Sequence, residues 1–226
     1  MRILRLIVFL ILIYTLCLAA GLIFVLLRVV RKIKIKGKSN LPIRKGNVIL
    51  AANHPALAET FLIPPLYFPY YLVNPFKYFP HVTADVRALK RFPPVVLFPH
   101  IFIRKQRKDI SALNAMAEVL RSERKIINFI EGKTTKEGQD FLTTSRGIKI
   151  AKPRAGIGRL VRKCNSEVVP IYVSGTDKGL FSFHQIRITI GQTLDFSSFQ
   201  SFPDNRETWE IIALKVAKEI LVLSDQ

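Results

Sequence analysis

Asn47-Val48-Ile49-Leu50-Ala51-Ala52-Asn53-His54-Pro55-Ala56-Leu57-Ala58-Glu59 is the stretch on which the reading of the chain turns. Asn47 to Ala52 is a short apolar run with β-branched members, which reads as a buried strand. It stops at His54, and Glu59 is the first acidic residue in the chain. An imidazole and a carboxylate five positions apart, just past a strand, can act as a base and the group that orients it. Alone the spacing is weak, since a bare His-x4-Glu pair arises by chance. Its weight comes from the rest of the chain.

Working outward, strands and helices alternate after residue 46. Ser39 to Gly46 reads as a connector, with Pro42 and Gly46 as its punctuation. Further strands are predicted at Val82-Thr83-Ala84, Ile101-Phe102-Ile103, Lys125 to Ile130, Val168 to Val173 and Ile186 to Ile190. Asp109 caps a helix carrying Ile110, Leu113, Ala117 and Leu120 at helical spacing, with Arg121, Arg124 and Lys125 at its basic end. A short helix is expected from near Ala56, and another over Pro153 to Lys163. Asp204-Asn205-Arg206-Glu207 resembles a capping box opening a helix with Trp209, Ile212, Ala213, Val216 and Ile220 on one face. Between Ala58 and Tyr78, Pro64, Pro65 and Pro69 forbid one long helix, so that apolar region is predicted to be irregular. Gly138 to Gly147 reads as a polar loop. The pattern is that of an α/β domain, a sheet flanked by helices.

Leu6 to Leu27 runs 22 residues without a charge. At about 1.5 Å per residue that is about 33 Å of helix, enough for a hydrocarbon core of about 30 Å. A cleaved signal peptide is the competing reading, because Leu18-Ala19-Ala20-Gly21 resembles a cleavage site. The apolar run continues past it through Leu22 to Leu27, which favours an uncleaved transmembrane anchor. Arg2 and Arg5 precede the span, and Arg28, Arg31, Lys32, Lys34, Lys36 and Lys38 follow it. The larger cluster is expected on the cytoplasmic side, against anionic headgroups, in a single-pass membrane protein. Residues 1–38 are therefore read as anchor with basic flank, and 39–226 as the domain that carries the His–Glu pair.

The totals point toward an anionic, membrane-like partner. The chain has 226 residues and a net charge of +19, from 35 Lys+Arg against 16 Asp+Glu. Such an excess points to an anionic partner. Membrane or phospholipid is favoured over nucleic acid, because no recognition-helix or zinc-finger pattern is present and the aromatics cluster with Pro and aliphatics rather than with basic residues. Hydrophobic content of 49% with 23% charged residues argues against wholesale disorder. Two distant cysteines, Cys17 and Cys164, exclude a disulfide framework. His81, His100 and His184 lack metal-ligand spacing, so no metal site is predicted. Gly156-Ile157-Gly158 is too short for a dinucleotide fingerprint.

In open α/β sheets, ligands bind where strands end in loops. Three strand ends carry polar clusters: His54 to Glu59, Arg104-Lys105, and Glu131-Gly132-Lys133-Thr134-Thr135. Together they supply a His–carboxylate pair, cations and a Gly-containing loop. In order and spacing they resemble the glycerophospholipid acyltransferase family, of the 1-acylglycerol-3-phosphate acyltransferase type within the lysophospholipid acyltransferase superfamily. The first family motif, Asn-His-x4-Asp, is similar to Asn53-His54 through Glu59. The second, an apolar strand ending in a basic residue, is similar to Ile101-Phe102-Ile103-Arg104-Lys105, where Arg104 and Lys105 compete for one family position. The third, Phe-x-Glu-Gly, matches Phe129-Ile130-Glu131-Gly132. The fourth, an apolar strand with Pro, is similar to Val168-Val169-Pro170-Ile171-Tyr172-Val173. Lys152-Pro153-Arg154-Ala155-Gly156 also resembles a family segment between the third and fourth motifs. The match spans about residues 47 to 175.

The resemblance implies a mixed sheet flanked by helices and preceded by a membrane helix. It also implies acyl transfer from acyl-CoA or acyl carrier protein to a hydroxyl of a lysophospholipid or lysophosphatidic acid. On that reading His54 is the general base and Glu59 its orienter. Arg104, Lys105, Glu131, Gly132, Lys133 and Thr134 form the substrate phosphate site, and no cofactor is required beyond the thioester co-substrate. Two departures stand out: Glu59 replaces the family's Asp, and Thr134 stands where the third motif often has Arg. The first motivates an alternative, a non-catalytic lipid-binding protein on the same fold.

Overall fold

Val48–Ala52 is wholly buried, and the sheet is built outward from it. Edge to edge the seven strands are β1 (Ile33–Lys36), β9 (Ile186–Ile190), β8 (Glu167–Ser174), β2 (Val48–Ala52), β5 (Lys125–Phe129), β3 (His81–Asp85) and β4 (His100–Ile103). These come from a computed structural model that describes residues 2–30, 32–85, 100–103, 110–132, 140–144, 146–178 and 184–225. β8, β2, β5, β3 and β4 are mutually parallel; β9 is antiparallel to β8, and β1 runs parallel to β9. The helices of the described residues are α1 (Arg2–Val29), α2 (Glu59–Leu62), α3 (Tyr70–Val73), α4 (Pro75–Tyr78), α5 (Ile110–Arg121), α6 (Gly156–Cys164) and α7 (Arg206–Ser224).

The period of two along each strand divides the core into two layers. Val48, Leu50, Ile127, Ile171 and Ile188 face α1 and the α2–α4 region, whose Leu66, Tyr67 and Tyr71 are buried. Ile49, Ala51, Ile126 and Val168 face the other way, against Ala117 and Leu120 of α5, Leu160 of α6 and Ile212, Val216 and Ile220 of α7. The helix predicted after Asp204 forms, but its cap sits one residue later than an Asp204–Glu207 capping box would put it: Asn205 is the N-cap, and its Oδ1 accepts the Thr208 N–H at 3.0 Å.

α1 holds the one helix among the described residues that is long and apolar enough to cross a membrane, over Ile7–Val29. One of its faces packs on the domain. Ile13, Cys17 and Phe24 are buried, and the Tyr71 hydroxyl donates to the Cys17 carbonyl at 3.2 Å. The Phe68 ring lies so close to Gly21 that a Cβ there would come within 2.1 Å of it. The opposite face exposes Ile7, Ile11, Leu18, Leu22 and Leu26.

Several local expectations are adjusted. Ile33–Lys36, inside the basic flank, is a strand of the main sheet; its isoleucines face the core and its lysines solvent. The 138–147 region contains β6 (Phe141–Thr143), which pairs antiparallel with β7 (Lys149–Ala151); strands of three residues are too short to show a period. Ala58 to Tyr78 is a chain of short helical turns, and Pro75 occupies the first turn of α4, where a missing N–H costs nothing. The helix predicted over Pro153 to Lys163 starts only at Gly156, because the Arg154 N–H is donated to Ile130 O at 2.9 Å, which ties residues 153–155 to the end of β5.

Candidate active site

The parallel strands β2, β5 and β8 end side by side: Ala52 is in register with Phe129 and with Ile171. Just past Ala52, the Asn53 side chain clamps the neighbouring strand. Its Nδ2 donates to Val173 O at 2.8 Å, and its Oδ1 accepts from Val173 N at 2.7 Å. Asn53 is buried, so both bonds are made out of water, where an unmade one is costly. This clamp fixes the point at which the chain leaves β2 and therefore where His54 begins.

His54 is then held at several points. Its Nδ1 lies 3.0 Å from Glu59 Oε2, with the histidine side chain 11% exposed and the glutamate side chain 0%. Its ring stacks on Phe129, with centroids 4.1 Å apart and planes 17° from parallel. Its backbone N–H is donated to Glu131 Oε1 at 3.0 Å. The Glu59 carboxylate also accepts the Ala56 N–H, at 3.1 and 3.2 Å to its two oxygens. This is why α2 starts at Glu59 rather than near Ala56: residues 55–58 form a turn closed on the carboxylate.

The donor and acceptor roles follow from this geometry. A carboxylate accepts, so Nδ1 carries the proton and Nε2 is the basic nitrogen. The longer Glu59 side chain, in place of Asp, reaches the ring, so the substitution leaves the pair in contact.

Glu131, grouped from the sequence with the phosphate residues, turns its carboxylate to the His54 backbone and is buried. Gly132 follows in the left-handed region at φ 67°. A Cβ on Gly132 would meet Arg154 Cδ and Nε at 2.7 Å, so the Arg154 side chain lies directly against this turn. Arg104, Lys105, Lys133 and Thr134 lie outside the described residues. The structure thus brings His54, Glu59, Glu131 and Gly132 together. It adds Asn53 and Phe129, which belong to the sequence motifs but carry no role there; their only signal is adjacency to His54 and to Glu131.

The opposite end of β5 has different electrostatics. Lys125 is 2% exposed, and its ammonium sits over the rings of Tyr67 and Tyr78, at 5.5 and 5.9 Å from their centroids. Burial, helped by the charge of Lys77, lowers its pKa to about 8.

Residues 32–174 match the family model described as Acyltransferase. The chain belongs to the acyltransferase family. The matched stretch begins just before β1 and ends with β8, so the His54 site lies inside it. Among solved structures, this acyltransferase is similar to the 1-acyl-sn-glycerophosphate (LPA) acyltransferase PlsC from Thermotoga maritima. The TM-score is 0.59 at 20% identity, covering 91% of this chain and 78% of that one. That likeness supports the fold, a mixed sheet flanked by helices. No curated protein matches this acyltransferase.

Proposed function

We propose that this acyltransferase moves a fatty acyl group from a thioester carrier, acyl-CoA or acyl carrier protein, to a free hydroxyl of lysophosphatidic acid or a related lysophospholipid. The observation that carries the reading is the His54–Glu59 contact at the end of β2, with the basic Nε2 opposite the oriented Nδ1. The acceptor hydroxyl attacks the thioester carbonyl while Nε2 takes its proton, and Glu59 stabilises the imidazolium that forms. The tetrahedral intermediate collapses with cleavage of the C–S bond, and the imidazolium returns the proton to the departing sulfur. No acyl-enzyme is needed. The Thermotoga protein, an acyltransferase of 1-acyl-sn-glycerophosphate, supports the choice of acceptor class.

Arg104, Lys105, Lys133 and Thr134, with the Gly132 turn, are assigned to the acceptor's phosphate by motif resemblance; the need there is for cations and backbone donors. Glu131 is assigned a positioning role through the His54 backbone, since a carboxylate repels a phosphate.

The membrane is assigned to the α1 side of the sheet. The outer face of α1 and the exposed Leu57, Phe61, Tyr70, Val73 and Phe76 of the following region are apolar and belong to the layer on that side. The basic flank assigns the domain to the cytoplasmic surface.

The test is acylation by membranes containing the full chain, with labelled acyl-CoA and acyl carrier protein, across a panel of lysophosphatidic acid and neutral and anionic lysophospholipids. Labelled diacyl product from at least one acceptor is expected. Absence of product from every pair, with the protein folded, would overturn the reading.

A further inference from the structure

On the sheet face away from α1, three adjacent strands build a small grid of polar side chains. Register places Lys34 of β1 beside Arg187 of β9, and Arg187 beside Ser174 of β8. Two residues along, Lys36 lies beside Thr189 and Thr189 beside Tyr172. The period of two puts all six on one face, while Ile33, Ile35, Ile186, Ile188, Ile171 and Val173 fill the core behind them. The grid is the floor of a depression of about 380 Å³, walled by Leu223 and Ser224 at the end of α7 and by Ile148 beside the β6–β7 hairpin. That volume lies within the roughly 300–1,000 Å³ of small-molecule sites.

Two features separate this patch from an ordinary solvated edge. Lys34 and Arg187 are register neighbours on one face of the parallel β1–β9 pair, and like charges so close repel. Among the described residues, no carboxylate lines the depression. The two carboxylates whose field reaches Tyr172, Asp177 and Asp225, already have cations close by, Lys178 at 3.6 Å and Arg146 at 3.7 Å. The floor therefore carries three basic side chains and three hydroxyls at strand spacing, and no lining acid offsets the repulsion between Lys34 and Arg187. A phosphate group answers that arrangement: it takes the Arg fork and the ammonium groups as charge-assisted donors and the hydroxyls as neutral ones.

We propose that this depression binds the phosphate groups of a water-soluble organic phosphate. A soluble ligand fits better than a bilayer headgroup, because the grid lies on the opposite face of the sheet from α1 and the exposed apolar residues of the α2–α4 region. The site is distinct from the His54–Glu59 site yet close to its scaffold: Ser174 follows Val173, whose backbone the Asn53 side chain clamps. The proposal stands whatever the acyl acceptor is.

Calorimetric titration of the detergent-solubilised full chain with ADP tests it, with phosphatidylglycerol/phosphatidylcholine vesicles as a second arm. Saturable ADP binding that weakens with added salt is expected. It should be retained in His54→Ala and weakened at least tenfold in Lys34→Gln/Arg187→Gln. Thr189→Val, which removes only a hydroxyl, should weaken it severalfold and controls for folding. No saturable binding by wild type, or equal binding by the double variant, would overturn the proposal. So would binding to the vesicles through Lys34 and Arg187 with no response to ADP.

Discussion

The two ends of β5 hold buried polar groups in opposite ways. At its C-terminal end, beside Phe129, the polar contacts described around His54 are directional: carboxylate to ring, carboxylate to backbone, amide clamp to the next strand. At its N-terminal end, four residues earlier, Lys125 is as deeply buried but lies over ring faces, with the like charge of Lys77 acting on it. Hydrogen bonds fix an atom to within tenths of an ångström, whereas a cation over a ring is held loosely. Orientation is thus concentrated where the proposed mechanism moves a proton, and the lysine end carries a desolvated charge that this mechanism does not use.

Substitutions at the two ends test that contrast. Glu59→Gln should have the largest effect, because a neutral amide neither fixes the tautomer nor stabilises the imidazolium. kcat should fall roughly 10²- to 10⁴-fold with the fold retained, while Glu59→Asp should keep measurable activity; steady-state acyl-transfer kinetics separate the two. Glu131→Ala comes next. It leaves the buried His54 N–H without its carboxylate, and a displaced imidazole should lower kcat about tenfold or more with less change in KM. Asn53→Ala removes both bonds to Val173. Thermal unfolding should show a loss of about 2 kcal/mol, with a severalfold fall in activity.

Lys125→Met should act with the opposite sign and leave activity unchanged. The folded pKa of about 8 lies below the ordinary 10.5, so between those values the unfolded chain binds more protons and wild-type stability rises with pH. Below pH 8 the penalty is full, at most about 1.4 kcal/mol for each tenfold loss of proton affinity on folding. The variant should therefore melt higher than wild type at pH 7, with the gain shrinking between pH 8 and 10.5. A gain independent of pH would show that packing, not charge, makes the difference.

The legible strands were those written as short, β-branched apolar stretches. Val48–Ala52, Lys125–Phe129 and Ile186–Ile190 read as strands because short apolar runs have few other uses. β1 was hidden because Ile33-Lys34-Ile35-Lys36 is also what a basic membrane flank looks like, and only its pairing with β9 tells the two apart. In the site, His54 and Glu59 were legible from their place past a strand only together with the motifs downstream, and they meet at 3.0 Å. The direction of the Glu131 carboxylate was not, because motif position says nothing about rotamer. The burial of Lys125 was hidden for a related reason: a lysine at a strand start reads as exposed until Tyr67 and Tyr78 fold over it.

The most direct measurement is the rate of acyl transfer from labelled thioester to lysophospholipid by His54→Ala, beside wild type at matched amounts of folded protein. Loss of at least about 10²-fold in kcat, with unfolding behaviour close to wild type, is the expected result. Product formed at the wild-type rate would contradict the assignment of His54 as the base.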